Sequence, residues 1–165
     1  MDASGGKRVE GTLTSLRPTT DADTDLLEGW LSDPEVYRYW GGKPILREEI
    51  EAEYTGARSP QVECMIVETE GAPIGFLQYW KGPGRSGGLD MFLIPTFRGR
   101  GLGPDAARTA ADYLRSQGWN RITVDPAPDN HGAIRAWARA GFVAEREIIG
   151  DDGPALLMVF KSRDP

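Results

Sequence analysis

At 165 residues the chain has the length of one domain with room for a sizeable core. Hydrophobic residues at 39% and charged residues at 27% exclude a disordered or fibrous chain, and no apolar run reaches the length of a membrane span. Twenty-five acidic against 19 basic residues leave a net charge of −6, which argues against nucleic acid or an anionic membrane as partner and favours cationic ones.

Residues 1–10 read as a flexible N-terminal lead-in and 11–165 as a single domain. The N-terminus shows no signal-peptide core, so the expected location is cytoplasmic. Thr12 to Arg17 alternates as a first strand. Thr19-Thr20-Asp21 then offers cap chemistry to a helix with Leu26, Leu27, Trp30 and Leu31 on one face. An aromatic segment, Val36 to Gly42, follows as connection. A second helix is expected over Leu46 to Ala57, with Ile50 and Tyr54 inward and Glu48, Glu49, Glu51 and Glu53 solvated.

Val62–Thr69 and Pro73–Trp80 predict a hairpin, and Lys81–Gly87 is a loop by composition. Cys64 sits in the apolar run of the first hairpin strand and reads as a core thiol. With one cysteine and one histidine, no metal site is expected. Leu89–Ile94 is a strand. Pro104 to Ser116 is a helix burying Ala107, Ala110, Ala111 and Leu114, with Pro104 as its first residue. Arg121–Val124 is a strand. His131–Arg139 is a helix with Ile134, Trp137 and Ala138 inward. Phe142–Ile149 and Ala155–Lys161 close the chain as a hairpin. The order is strand, two helices, three strands, helix, strand, helix, two strands: an α/β (α+β) chain.

Between the strand ending at Ile94 and the helix after it lies Arg98-Gly99-Arg100-Gly101-Leu102-Gly103. A strand feeding a glycine turn and a helix start directs backbone N–H groups and the positive end of the helix dipole at one spot, which suits a diphosphate. The turn lacks the Lys-Ser/Thr of a P-loop and does not match the dinucleotide fingerprint. Its Arg-x-x-Gly-x-Gly pattern resembles the acetyl-coenzyme A loop of the GNAT (GCN5-related) acetyltransferases. Asn130 to Phe142, an asparagine opening a helix that ends in Ala-Gly-Phe, is similar to the second signature of that superfamily. The element order also resembles its fold, implying a central mixed, mostly antiparallel sheet flanked by helices.

Within the superfamily the chain resembles the aminoglycoside 6'-N-acetyltransferases. Tyr39-Trp40-Gly41-Gly42 corresponds to their Trp-Trp-Gly-Gly, Gly71–Phe76 to Gly-Glu-Pro-Ile-Gly-Tyr, and Val124–Asn130 to Thr-Asp-Pro-Ser-Pro-Ser-Asn. Leu89-Asp90 matches their Ile-Asp, and Asp152–Ala155 their Asp-Gly-Pro-Ala. The resemblance implies acetyl transfer from acetyl-coenzyme A to an amine, with 6' as the expected position, of a small cationic aminoglycoside by direct attack, and so antibiotic resistance. A kasugamycin-type 2'-acetyltransferase and a siderophore or protein N-terminal acyltransferase are the alternatives. Monomer and homodimer are both compatible.

The resemblance also implies site residues. Phe92, Leu93, Ile94, Arg98, Gly99, Arg100, Gly101, Leu102, Gly103, Asn130, Ala133 and Trp137 would hold the cofactor. Tyr39, Trp40, Gln78, Asp90, Asp125 and Asp152 would meet the substrate. Asp90 and Asp125 would hold the reacting amine, with Asp90 as base, because an ammonium must lose a proton before it can attack a thioester. Plainer readings stand beside these: a strand-start ion pair with Arg85 for Asp90, an Asx turn for Asp125 and Asp152, and a core aromatic for Trp40. Many GNAT enzymes carry a tyrosine where this chain has Trp137, and an indole is no acid. No general acid is assigned.

Overall fold

A computed structural model describes residues 7–161. Eight strands form one sheet in the order β1-β2-β3-β4-β5-β6-β8-β7. In chain order the elements are β1 Val9–Glu10, β2 Ser15–Pro18, α1 Thr24–Leu31, α2 Pro34–Tyr37, α3 Arg47–Glu53, β3 Val62–Thr69, β4 Ala72–Lys81, β5 Ser86–Leu93, α4 Leu102–Ser116, β6 Arg121–Val124, α5 His131–Ala140, β7 Phe142–Gly150 and β8 Gly153–Phe160. All strand pairs are antiparallel except β5 with β6. The mixed, mostly antiparallel sheet expected from the sequence is therefore present.

Several boundaries differ, each for a visible reason. Val9 and Glu10 pair with Leu16 and Ser15 and Arg8 bonds Glu68, so residues 8–10 of the expected lead-in belong to the fold; its residues 1–6 lie outside the described part. Pro34 opens a four-residue helix in the aromatic segment, capped by the Asp33 carboxylate on the Glu35 N–H. β5 starts three residues earlier than its apolar run, because Gly87 and Gly88 belong to the strand rather than to a loop. A Cβ on Gly87 would collide with the Trp119 ring and the Trp80 carbonyl, and one on Gly88 with the Trp80 ring. Pro104 is the third residue of α4, not the first, since Gly101 at φ 80° is its N-cap. Ala138 faces solvent and Ala140 is buried in its place, as a 3.6-residue period counted from Trp137 requires.

The sheet carries a core on each face. Leu77, Leu89 and Leu93 pack against the alanine stripe of α4 (Ala106, Ala107, Ala110, Ala111) and against Trp137 of α5. On the other face Phe76 and Phe92 pack with Leu27, Leu31, Ile50, Tyr54 and Trp40 from the α1–α3 region. Each such fully buried side chain contributes roughly 1.5–3 kcal/mol. The two faces communicate at one place. β5 pairs with β6 only through Ser86, Gly87 and Gly88, so beyond Gly88 the two parallel strands part and leave the outer edge of β5 open.

Candidate active site

A cleft of about 1010 Å³ occupies that divergence. Its size suits a large bound molecule. Met91, Gly103 and Trp137 line it from the α4–α5 side, and Trp40, Gln78 and Asp90 from the other.

At the end near α4 the chain forms a backbone cradle. Gly99 and Gly101 take φ values of 77° and 80°, which side-chain-bearing residues rarely adopt. Gly103 brings the first turn of α4 against β5: a Cβ there would stand 3.5 Å from Leu93 Cδ1. Gly99, Gly101 and Gly103 all line the cleft. The helix start supplies N–H groups without intrahelical acceptors, which is the donor set that a diphosphate requires.

Arg98 lines the cleft and is also tied into the fold, whereas Arg100 lies outside it. Arg98 Nε donates to the Leu93 carbonyl (2.9 Å) and Nη2 to the Glu35 carbonyl (2.9 Å), so this side chain ties α2 to the end of β5. Arg100 lies over the Phe97 ring at 5.0 Å and does not line the cleft. Leu102 is buried in the core below the cradle, and Ile94 caps the single 3-10 turn Pro95–Phe97; neither lines the cleft. Phe92 and Leu93 are both core and cleft wall. Asn130 caps α5, its Oδ1 accepting from Ala133 N at 3.3 Å, and reaches the cleft together with Ala133. Trp137 is 5% exposed and meets Phe142 edge to face, yet it borders the cleft as well.

The opposite end is acidic. Asp90 stands on the same face of β5 as Phe92 and directly across from Gln78 of β4. Its Oδ1 accepts from the Met91 N–H at 3.0 Å, and among the described residues no arginine or lysine pairs with it, Arg85 included. Burial pushes its carboxyl up to about 7, with the charges of Asp125 and Asp152 adding to that and the Met91 N–H opposing it. Asp125 is the first residue after β6. Its carboxyl is also raised, first by burial and then by Asp151 and Asp152 in the β7–β8 turn. Four carboxylates thus converge on one part of the cleft, and none of them forms an ion pair among the described residues.

Aromatic rings close the remaining side. Trp40 is a core aromatic that also borders the cleft. It is buried, with Nε1 donating to the Tyr54 hydroxyl at 2.7 Å and its ring edge-on to Phe76 and Phe92, and it lines the cleft. Tyr39 is exposed beside it and donates across the mouth to the Asp129 carbonyl at 3.5 Å. Cys64 lies behind Gln78, its thiol pushed up to about 12 by burial, in keeping with a core role. Sequence reasoning missed Asp151, Trp80, Met91, Arg135 and Arg139, which also line the cleft. The signals were available: Asp151 adjoins Asp152, and Arg135 and Arg139 are four apart on one helix.

Known proteins share this arrangement. A family model described as an acetyltransferase (GNAT) domain matches residues 14–143. An aminoglycoside N(6')-acetyltransferase type 1 from Klebsiella pneumoniae is 30% identical over 164 residues, covering 88% of this chain and 81% of that protein. The structure of AAC(6')-Ib with paromomycin and acetyl-coenzyme A superposes with a TM-score of 0.84 at 28% identity, over 92% of this chain and 95% of that one. The complex of AAC(6')-Ib with coenzyme A and kanamycin gives 0.81 at 28% identity, over 91% and 95%.

Proposed function

The chain belongs to the GNAT acetyltransferase family, and from that premise we propose that it acetylates the 6'-amine of aminoglycoside antibiotics with acetyl-coenzyme A as donor. One observation carries the acceptor side of this reading. Asp90, Asp125, Asp151 and Asp152 converge, with no ion pair among the described residues, on a cleft walled by Trp40. A polyammonium sugar supplies the missing positive charge, and Trp40 offers a flat apolar face to its rings. The cradle of Gly99, Gly101 and Gly103 fits the diphosphate of coenzyme A, because its glycines hold the backbone at positive φ where N–H groups can approach an anion.

Acetyl-coenzyme A, when bound, supplies an electrophilic thioester carbonyl. Asp90 takes the proton that the attacking amine must lose. With its carboxyl near 7, Asp90 is ionised in a large fraction of molecules at neutral pH and remains basic enough to accept that proton. Asp125, with Asp151 and Asp152 behind it, holds further ammonium groups and so orients the acceptor. The free edge of β5 beyond Gly88 leaves backbone N–H groups able to stabilise negative charge developing on the carbonyl oxygen. Trp137 cannot donate a proton to the departing sulfur, which leaves as a thiolate, a tolerable leaving group at its moderate pKa. A requirement for acetyl-coenzyme A fits a cytoplasmic enzyme. No helix among the described residues is long and apolar enough to cross a membrane.

The reading is tested by incubating kanamycin with the protein and acetyl-coenzyme A, then mapping the product by mass spectrometry and NMR. The expected product carries one acetyl group on the 6' nitrogen. Unmodified kanamycin, or acetylation at another nitrogen, would count against it.

A further inference from the structure

The glycine loop offers backbone donors to a diphosphate and one cleft-lining side-chain charge, that of Arg98. Arg98 has two of its donor nitrogens committed to the Leu93 and Glu35 carbonyls, and Arg100 is stacked on Phe97 away from the cleft. Further positive charge beside the cradle comes from α5. Arg135 and Arg139 stand one helical turn apart, are exposed, and line the cleft. Neither forms an ion pair or a side-chain hydrogen bond among the described residues. Arg139 Nη2 lies 4.0 Å from the point where a Cβ on Gly101 would stand, so its guanidinium borders the N-cap of α4. The end of α5 is fixed there: Arg108 of α4 donates from Nε to the Ala140 carbonyl (3.3 Å) and from Nη2 to the Arg139 carbonyl (3.1 Å).

We propose that Arg135 and Arg139 form a phosphomonoester site that reads the ribose 3'-phosphate of coenzyme A and makes the enzyme selective for the phosphorylated donor. This rests on the coenzyme A reading above. Coenzyme A carries two kinds of phosphate, and the chain presents two kinds of receptor side by side. A diphosphate bridging two esters suits convergent N–H groups at a helix start. A terminal monoester has more charge per phosphorus and three free oxygens, which match guanidinium forks. Side chains are also better suited than backbone to a group at the mouth of the cleft, where the arginines are exposed.

The test compares acetyl-coenzyme A with acetyl-3'-dephospho-coenzyme A as donors, for the unaltered protein and for Arg135→Gln/Arg139→Gln, by kcat/KM and by calorimetric binding of the two desacetyl forms. The unaltered protein is expected to favour the phosphorylated donor by about tenfold or more, the scale of a charge-assisted contact. The double variant is expected to lose that preference while its KM for the dephospho donor and its melting temperature stay unchanged. Equal use of both donors by the unaltered protein would overturn the proposal. An equal loss for both donors in the variant would also do so, because the arginines would then serve the diphosphate or the fold. Failure of the unaltered protein to bind either donor would overturn the coenzyme A reading along with it.

Discussion

In the proposed mechanism Asp90 is unfavourable for the fold and needed for the chemistry. Its carboxyl is raised to about 7 by burial and by neighbouring carboxylates. An acid whose folded pKa lies above its unfolded value near 3.9 favours the fold when protonated, so it withdraws stability as the pH climbs from about 4 to 7. Asp90→Asn is therefore expected to raise the melting temperature above pH 7 and to have little effect on it below pH 4. The same change removes the proton acceptor, and kcat is expected to fall by about a hundredfold or more. Unaltered enzyme should gain activity through a pH near 7, a rise absent from the residual activity of the variant. Unchanged turnover and pH profile in Asp90→Asn would exclude it as the base. Asp90 was legible in the sequence because a charge inside an apolar strand needs a reason. The second task of Arg98, tying α2 to β5, was not legible, because a residue type and its spacing do not reveal that backbone carbonyls occupy two of its donors.

At the scale of elements, the β5–loop–α4 unit organises the site. The glycine turn before an alanine-rich helix could be read from the sequence, and the positive φ of Gly99 and Gly101 agrees with it. The start of β5 could not: Gly87 and Gly88 look like loop, and only the Trp80 and Trp119 rings packed over them make them strand. The four-residue α2 was equally hidden, being too short for any periodicity. The divergence of β5 from β6, which creates the cleft, is a matter of long-range pairing that no local pattern encodes. Gly101→Ala puts a side chain at φ 80°, at a strain of about 1 kcal/mol, and tilts the donors of the cradle. KM for acetyl-coenzyme A is expected to rise several-fold with the KM for the aminoglycoside nearly unchanged. An unaltered donor KM in steady-state kinetics would show that the loop does not hold the cofactor.

For the molecule as a whole, the sheet has separate cores on its two faces, and the β1–β2 end is held by ions. Arg17 bonds Asp23 through two nitrogens at 2.9 and 3.0 Å and Glu68 at 2.9 Å, while Arg8 reaches Glu68 at 3.1 Å. Burial disfavours the Asp23 carboxylate, but Arg17 and the Thr20 N–H outweigh this and hold its carboxyl below the ordinary range. Its folded pKa is depressed, so its contribution is present above about pH 4 and disappears as the pH falls below that. Arg17→Ala leaves two largely buried carboxylates short of a partner and is expected to lower the unfolding free energy by about 2–3 kcal/mol in urea titrations at pH 7. The loss should shrink toward pH 3, and a loss constant across that range would contradict the network.

The cleft itself is polarised, with the glycine cradle and arginines at one end and carboxylates at the other, an arrangement that suits a donor with phosphates and an acceptor with ammonium groups. The most direct measurement of that account is thiol release from acetyl-coenzyme A with kanamycin and, in parallel, with paromomycin, which carries a hydroxyl where kanamycin has its 6'-amine. Steady release with kanamycin and none above background with paromomycin is the predicted result. Release with neither, or equal release with both, would contradict acetylation at the 6'-amine.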